Sequence, residues 1–66
     1  MTTLEIITTI KARRKALGLS QQEVADRVGI LRPSYERIEN GRSSPTLHSL
    51  LAISDALGMQ ISIAEK

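Results

Sequence analysis

The stretch Gln21–Asn40, QQEVADRVGILRPSYERIEN, closed by Gly41, decides how the chain folds. Its first half places Val24, Ala25 and Val28 at i, i+1 and i+4, one apolar stripe of an amphipathic helix. Ser20 with Glu23 three residues later makes an S-x-x-E capping box, which marks where that helix starts. Gly29 is free to take the left-handed conformation that stops the helix and redirects the chain. In the second half, Tyr35 and Ile38 face inward at i, i+3, while Arg32, Pro33, Glu36, Arg37 and Asn40 point away. The small Ala25 lets the two helices cross closely.

Two short helices joined by a glycine turn have the helix-turn-helix layout. Residues 18–58 resemble the helix-turn-helix domain of the phage-repressor (XRE/Cro) family. The resemblance is carried by GLSQQEVADRVGI, by R-I-E-N-G at 37–41 and by SPTLHSLLAISDALG after it. A glutamine opening the first helix, an alanine and a glycine four residues apart, and I-E-N-G ending the second form a constellation rather than one loose motif. It implies a mostly all-α fold, a four-helix DNA-binding domain over residues 1–66, with helices over about 3–17, 21–28, 32–40 and 46–57.

Composition bounds the alternatives. Sixty-six residues bury only ~60% of their unfolded surface, so oligomerisation is a natural supplement. With no cysteine there is no disulfide framework, thiolate metal site or thiol nucleophile. No segment reads as a signal peptide or spanning helix, which implies a cytoplasmic protein, nucleoid-associated when bound, without a membrane partner. The net charge is only +2, yet residues 11–42 hold eight of the nine basic residues against four acidic ones. Lys11–Lys15 alone reads as a solvated helix face; beside a helix-turn-helix, the asymmetry reads as a polyanion-facing half. Tyr35 is the sole aromatic, which leaves no stacking platform for single strands.

Along the first helix, Thr2 with Glu5 reads as a capping box, Ile6, Ile10 and Leu17 as the core face, and Gly18 as the stop. The run Ile6, Ile7, Thr8, Thr9, Ile10 is β-branched and locally prefers a strand, so this helix depends on tertiary packing. The resemblance assigns Arg14 as the partner of Glu39. Leu31 stands where many family members have Ser or Thr, and a leucine cannot cap the next helix, at a cost of about 1 kcal/mol. Pro33 partly compensates in the first turn, which begins at Arg32 or Pro33. The Tyr35 ring reads as core, with its hydroxyl reaching an edge partner. Thr46 caps the last helix, whose apolar face reads Leu47, Leu50, Ile53 and Leu57, with Leu51 beside them. His48, alone among possible metal ligands, reads as surface.

The tail departs from the family pattern. Met59, Ile61 and Ile63 alternate with Gln60, Ser62 and Ala64, the period of a half-buried strand over about 60–64. An isolated strand leaves its backbone groups unpaired. The tail resembles the HipB-like antitoxin branch, which implies pairing with its own copy in a homodimer, with Leu51 and residues 59–64 at the interface; a frayed tail is the alternative.

Two function classes follow. The first is a dimeric repressor that binds a double-stranded operator of two half-sites, its second motif helix in the major groove. Arg32, Pro33, Arg37 and Leu31 then face bases, and Ser20, Gln21, Asn40, Arg42, Ser43 and Ser44 hold phosphates. Glu36 either accepts from cytosine or pairs with Arg32 at i+4. The second is an antitoxin that holds a kinase-like toxin, with DNA binding for autoregulation. No catalytic, metal or cofactor site is expected: there is one histidine, no Gly-rich phosphate loop and no paired carboxylates.

Overall fold

A side-chain oxygen caps three of the four helices, while the remaining one starts on a leucine followed closely by a proline. The computed structural model describes residues 2–62. In these, α1 (Thr3–Ala16), α2 (Gln21–Val28), α3 (Arg32–Glu39) and α4 (Leu47–Ala56) follow in order, with no strand among the described residues.

The caps explain the boundaries. Ser20 and Glu23 form the full box: the Ser20 hydroxyl accepts the Glu23 N–H at 3.0 Å, and Glu23 Oε1 accepts the Ser20 N–H at 3.1 Å. That backbone bond holds the Glu23 carboxyl below its ordinary range. At α1 the box is altered. The Thr2 hydroxyl accepts the Glu5 N–H at 3.1 Å but donates to the Glu5 carboxylate at 3.2 Å. Thr46 accepts the Ser49 N–H at 3.0 Å. Leu31 makes no side-chain cap; only its carbonyl serves α3, accepting from Ser34 at 3.0 Å and Tyr35 at 3.1 Å. Because Leu31 is 75% exposed, replacing it sacrifices little burial. Leu31→Ser is expected to raise unfolding stability by about 1 kcal/mol in denaturant titration, since a hydroxyl would satisfy an amide that leucine cannot.

Helix α1 overrides its local strand preference by burying Ile7, Ile10 and Arg14, with Ile6 packed against the core. The Thr9 hydroxyl donates back to the Glu5 carbonyl at 2.8 Å, the local bond that a threonine inside a helix can make. Leu17 is not on the core face. It is the C-cap, 43% exposed, because the buried stripe runs 7–10–14 and ends in a charge.

Helix α2 packs on α3 and α4, and α1 packs on α3. Val24 and Ala25, both fully buried, form the crossing point, with Tyr35, Ile38, Leu50, Ile53 and Leu57 around them. Each large aliphatic side chain buried here contributes about 1.5–3 kcal/mol relative to exposure. Gly29 makes the turn at φ 83°, and the N–H groups of Gly29 and Ile30 both reach the Ala25 carbonyl, at 2.9 and 3.0 Å. A side chain at that φ would strain the backbone. On α4 the buried face is Leu50, Ile53, Ser54 and Leu57; Leu47, the first residue of the helix, lies outside the core at 60% exposure.

The tail alternates in burial as far as it is described: Met59 and Ile61 pack against the core, while Gln60 and Ser62 are exposed. Residues 60–62 form neither helix nor strand, so the strand expected over 60–64 is not formed there; Ile63 and Ala64 lie outside the described residues. Pairing of that tail has no mate among the described residues of a single chain. With α1 and α4 the tail frames a groove of about 140 Å³ lined by Ile6, Ile10, Met59 and Ile61.

Candidate nucleic-acid interface

The two faces of α3 do opposite jobs. Its inner face is fixed by an ion pair: Arg14 Nε donates to Glu39 Oε2 at 2.6 Å and Nη2 to Oε1 at 3.0 Å, the side-on fork that matches a carboxylate. Arg14 Nη1 donates to the Leu19 carbonyl at 2.8 Å, and the Gln21 amide donates to Glu39 Oε1 at 3.3 Å. Arg14 from α1 and Gln21 from α2 thus meet at the carboxylate of Glu39 on α3, whose side chain is 0% exposed, and Arg14 ties in the loop through Leu19. Burial alone would push the Glu39 carboxyl up, but hydrogen bonds from Arg14 and Gln21 and the nearby guanidinium charge hold it below its ordinary value of 4.5. The same bond to Glu39 holds the Arg14 guanidinium above its usual range against the opposing effect of burial.

The Tyr35 ring is fully buried, as its place in the apolar pattern requires. Its hydroxyl, however, finds no hydrogen-bond partner among the described residues, contrary to the edge partner expected. It lies in the field of Arg14 and Glu39 without a hydrogen bond to either. Burial pushes the phenol well above its ordinary pKa.

With Tyr35, Ile38 and Glu39 inward, a turn of about 100° per residue puts Pro33, Arg37 and Asn40 at the centre of the outer face. All three are exposed. Arg37 makes no ion pair among the described residues. Arg32 lies nearer the margin, and its Nη1 is bonded to Glu36 Oε2 at 2.7 Å, both side chains nearly half exposed. This is the pairing alternative for Glu36, and an exposed pair of this kind adds only ~0.3–0.5 kcal/mol to the fold. Leu31 stands exposed at the start of the helix.

The polar residues assigned to phosphates divide. Asn40 is the exposed C-cap of α3, and Arg42, Ser43 and Ser44 are exposed in the loop to α4. Ser20 is exposed, but its hydroxyl already serves the α2 cap. Gln21 is half-buried with its amide on Glu39, which leaves the second amide hydrogen and the helix-end N–H for an anion. Of the residues assigned to a dimer, Leu51 is 43% exposed. Two contributions escaped the sequence reading. Ser34 is exposed in the first turn of α3 beside Pro33, and its position three residues before Arg37 could have signalled it. Arg13 Nε donates to the Leu57 carbonyl at 3.1 Å, placing a cation on the C-terminus of α4, a long-range contact with no local signal.

Comparison with known proteins agrees with this geometry. The helix-turn-helix family model matches residues 10–63. A helix-turn-helix-type transcriptional regulator of Methanothermobacter thermautotrophicus is 45% identical over 53 residues, covering 80% of this chain and 77% of the relative. The cryptic phage CTXphi transcriptional repressor RstR of Vibrio cholerae is 39% identical over 58 residues, 88% of this chain and 52% of the repressor. The immunity repressor protein of Bacillus phage phi105 is 40% identical over 53 residues, 80% of this chain and 37% of the repressor. The chain therefore spans about half the length, or less, of these two repressors. Among the described residues no helix is long and apolar enough to cross a membrane, and no group of three or more His, Asp or Glu is placed to hold a metal ion. With its helix-turn-helix architecture and its matched span in agreement, the chain belongs to the phage-repressor (XRE-type) helix-turn-helix family.

Proposed function

We propose that the chain is a DNA-binding transcriptional regulator, acting as a dimeric repressor that lays α3 in the major groove of a two-half-site operator. The single observation that carries this reading is the division of α3. One face is locked by Tyr35, Ile38 and the Arg14–Glu39 pair, and the other presents Arg37, free of any ion pair among the described residues, at its centre. Arginine reads guanine through O6 and N7, and Pro33 and Leu31 offer apolar contact to thymine methyls. Helix α2 crosses the backbone, while Asn40, Arg42, Ser43, Ser44, Ser20 and the N-terminal end of α2 near Gln21 fix the register on phosphates. Selection from a random duplex pool tests it: an inverted repeat with half-sites about 34 Å apart is expected. Uniform recovery of all sequences would contradict sequence reading.

The dimer is assigned to the tail. Met59 and Ile61 turn inward while Gln60 and Ser62 face out, the alternation of a strand that seeks a mate. Antiparallel pairing of Gln60–Ala64 with a second copy would satisfy those backbone groups, with Leu51 adding apolar area. Deleting residues 60–66 is expected to give a largely monomeric protein with weak, non-cooperative half-site binding. Sedimentation that finds the truncated chain as tight a dimer as the full one would move the interface to the helices. The same alternation favours a second reading, in the HipB-like branch, as an antitoxin that also binds a toxin protein; co-purification with a kinase-like partner encoded beside it would support that role.

A further inference from the structure

Glu36 is an odd residue to find beside a DNA-reading arginine, since a carboxylate near a groove wall repels phosphate. Its geometry gives it a purpose. Glu36 Oε2 holds Arg32 through Nη1 alone, at 2.7 Å, one helical turn away. The side-on fork of Arg32, Nε with Nη2, is left open. The same fork on Arg14 grips two oxygens of Glu39 at 2.6 and 3.0 Å, which shows its reach on a pair of acceptors. Guanine O6 and N7 are such a pair.

We propose that Glu36 is a specificity-determining positioning residue: by holding Arg32 Nη1 it aims the open Nε–Nη2 fork at a guanine at the margin of each half-site. This rests on the DNA-binding reading above. Two physical effects act together. The pair fixes a long side chain before binding, so less rotamer freedom is lost when the guanine bond forms. It is also neutral overall, which removes Arg32 from the pool of cations that bind any phosphate and makes its contribution depend on the base. Arg37, with no carboxylate partner among the described residues, has no such restraint.

The test compares the full chain with Glu36→Gln, Arg32→Gln and the double variant, by random-pool selection and by binding to the selected duplex and a scrambled one across salt. Arg32 is exposed and the Glu36 side chain nearly half exposed, and equal melting temperatures would establish that folding is intact. Glu36→Gln is expected to lower preference for one guanine per half-site about two- to threefold, the worth of an exposed i, i+4 pair. It should also strengthen binding to scrambled duplex and steepen its log–log salt slope by about 1. Arg32→Gln should lose preference at the same guanine, and the double variant should lose no more than Arg32→Gln does. A Glu36→Gln protein with the parent's base preferences and salt slope would overturn the inference while leaving DNA reading by Arg37 intact. A parent protein that selects no sequence would overturn both.

Discussion

Glu39→Ala is expected to lower unfolding stability by about 3–5 kcal/mol, the loss typical when one partner of a buried pair is removed. Glu39 has no exposed side-chain surface, and it receives both fork bonds of Arg14 together with the Gln21 amide. Its removal leaves the Arg14 guanidinium, in a residue only 8% exposed, without its countercharge. For 66 residues a total stability of roughly 3–10 kcal/mol is ordinary, so the loss is about a third of the total or more. Glu36→Ala, which removes one partner of the exposed pair, should cost under ~1 kcal/mol. Urea titration of the two variants distinguishes them, and equal costs would contradict the buried role of Glu39. The pair also sets a pH dependence. The Glu39 carboxyl is held below its ordinary value of 4.5, so its contribution is present above that value and lost as pH falls through the depressed one. Stability should therefore decline on acidification below about pH 4.5, and Arg14→Ala should flatten that part of the profile.

Arg37→Ala is expected to weaken the preferred operator by roughly 1–3 kcal/mol per half-site and to relax preference at one or two base pairs. The residue is at the centre of the outer face and is held by no carboxylate among the described residues, so its deletion should remove the proposed base contact without disturbing the fold. Arg42 provides the contrast. It lies in the loop after α3, and Arg42→Ala should weaken cognate and random duplexes alike and reduce the salt slope by about 1. Equal losses on both duplexes for Arg37→Ala would remove it from the reading face.

The parts of the fold visible in the sequence are those encoded by local chemistry. Ser20 and Glu23 announced the start of α2, and their box forms with both bonds. Gly29 announced the turn, and its positive φ makes it. Misplacements arose where packing departs from apolar periodicity. The core face of α1 contains Arg14, so an apolar stripe drawn through Leu17 missed Ile7 and ran on past the end of the helix. Leu47 continues the period of α4 at a position that the neighbouring helices do not cover, whereas Ser54, polar and buried, completes the real face. The Arg14–Glu39 contact spans 25 residues, and only family resemblance pointed to it; Arg13 on Leu57, across 44, had nothing to announce it. The proposed reading face was legible in part. Helical spacing put Arg37 on the outside of α3, where it is exposed, but could not show that Arg32 is tied to Glu36 or that Gln21 is drawn inward to Glu39.

The outer face of α3 is proposed to read bases from the major groove. Substituting 7-deazaguanine for single guanines of the selected operator removes the N7 acceptor from that groove and leaves base pairing intact. Binding of the full chain should fall roughly tenfold or more at the guanine read by Arg37, as expected for loss of a charged hydrogen bond. Arg37→Ala should show no further loss at that position, because the contact is already gone. Equal losses in both proteins, or none in either, would contradict the placement of Arg37 on the bases.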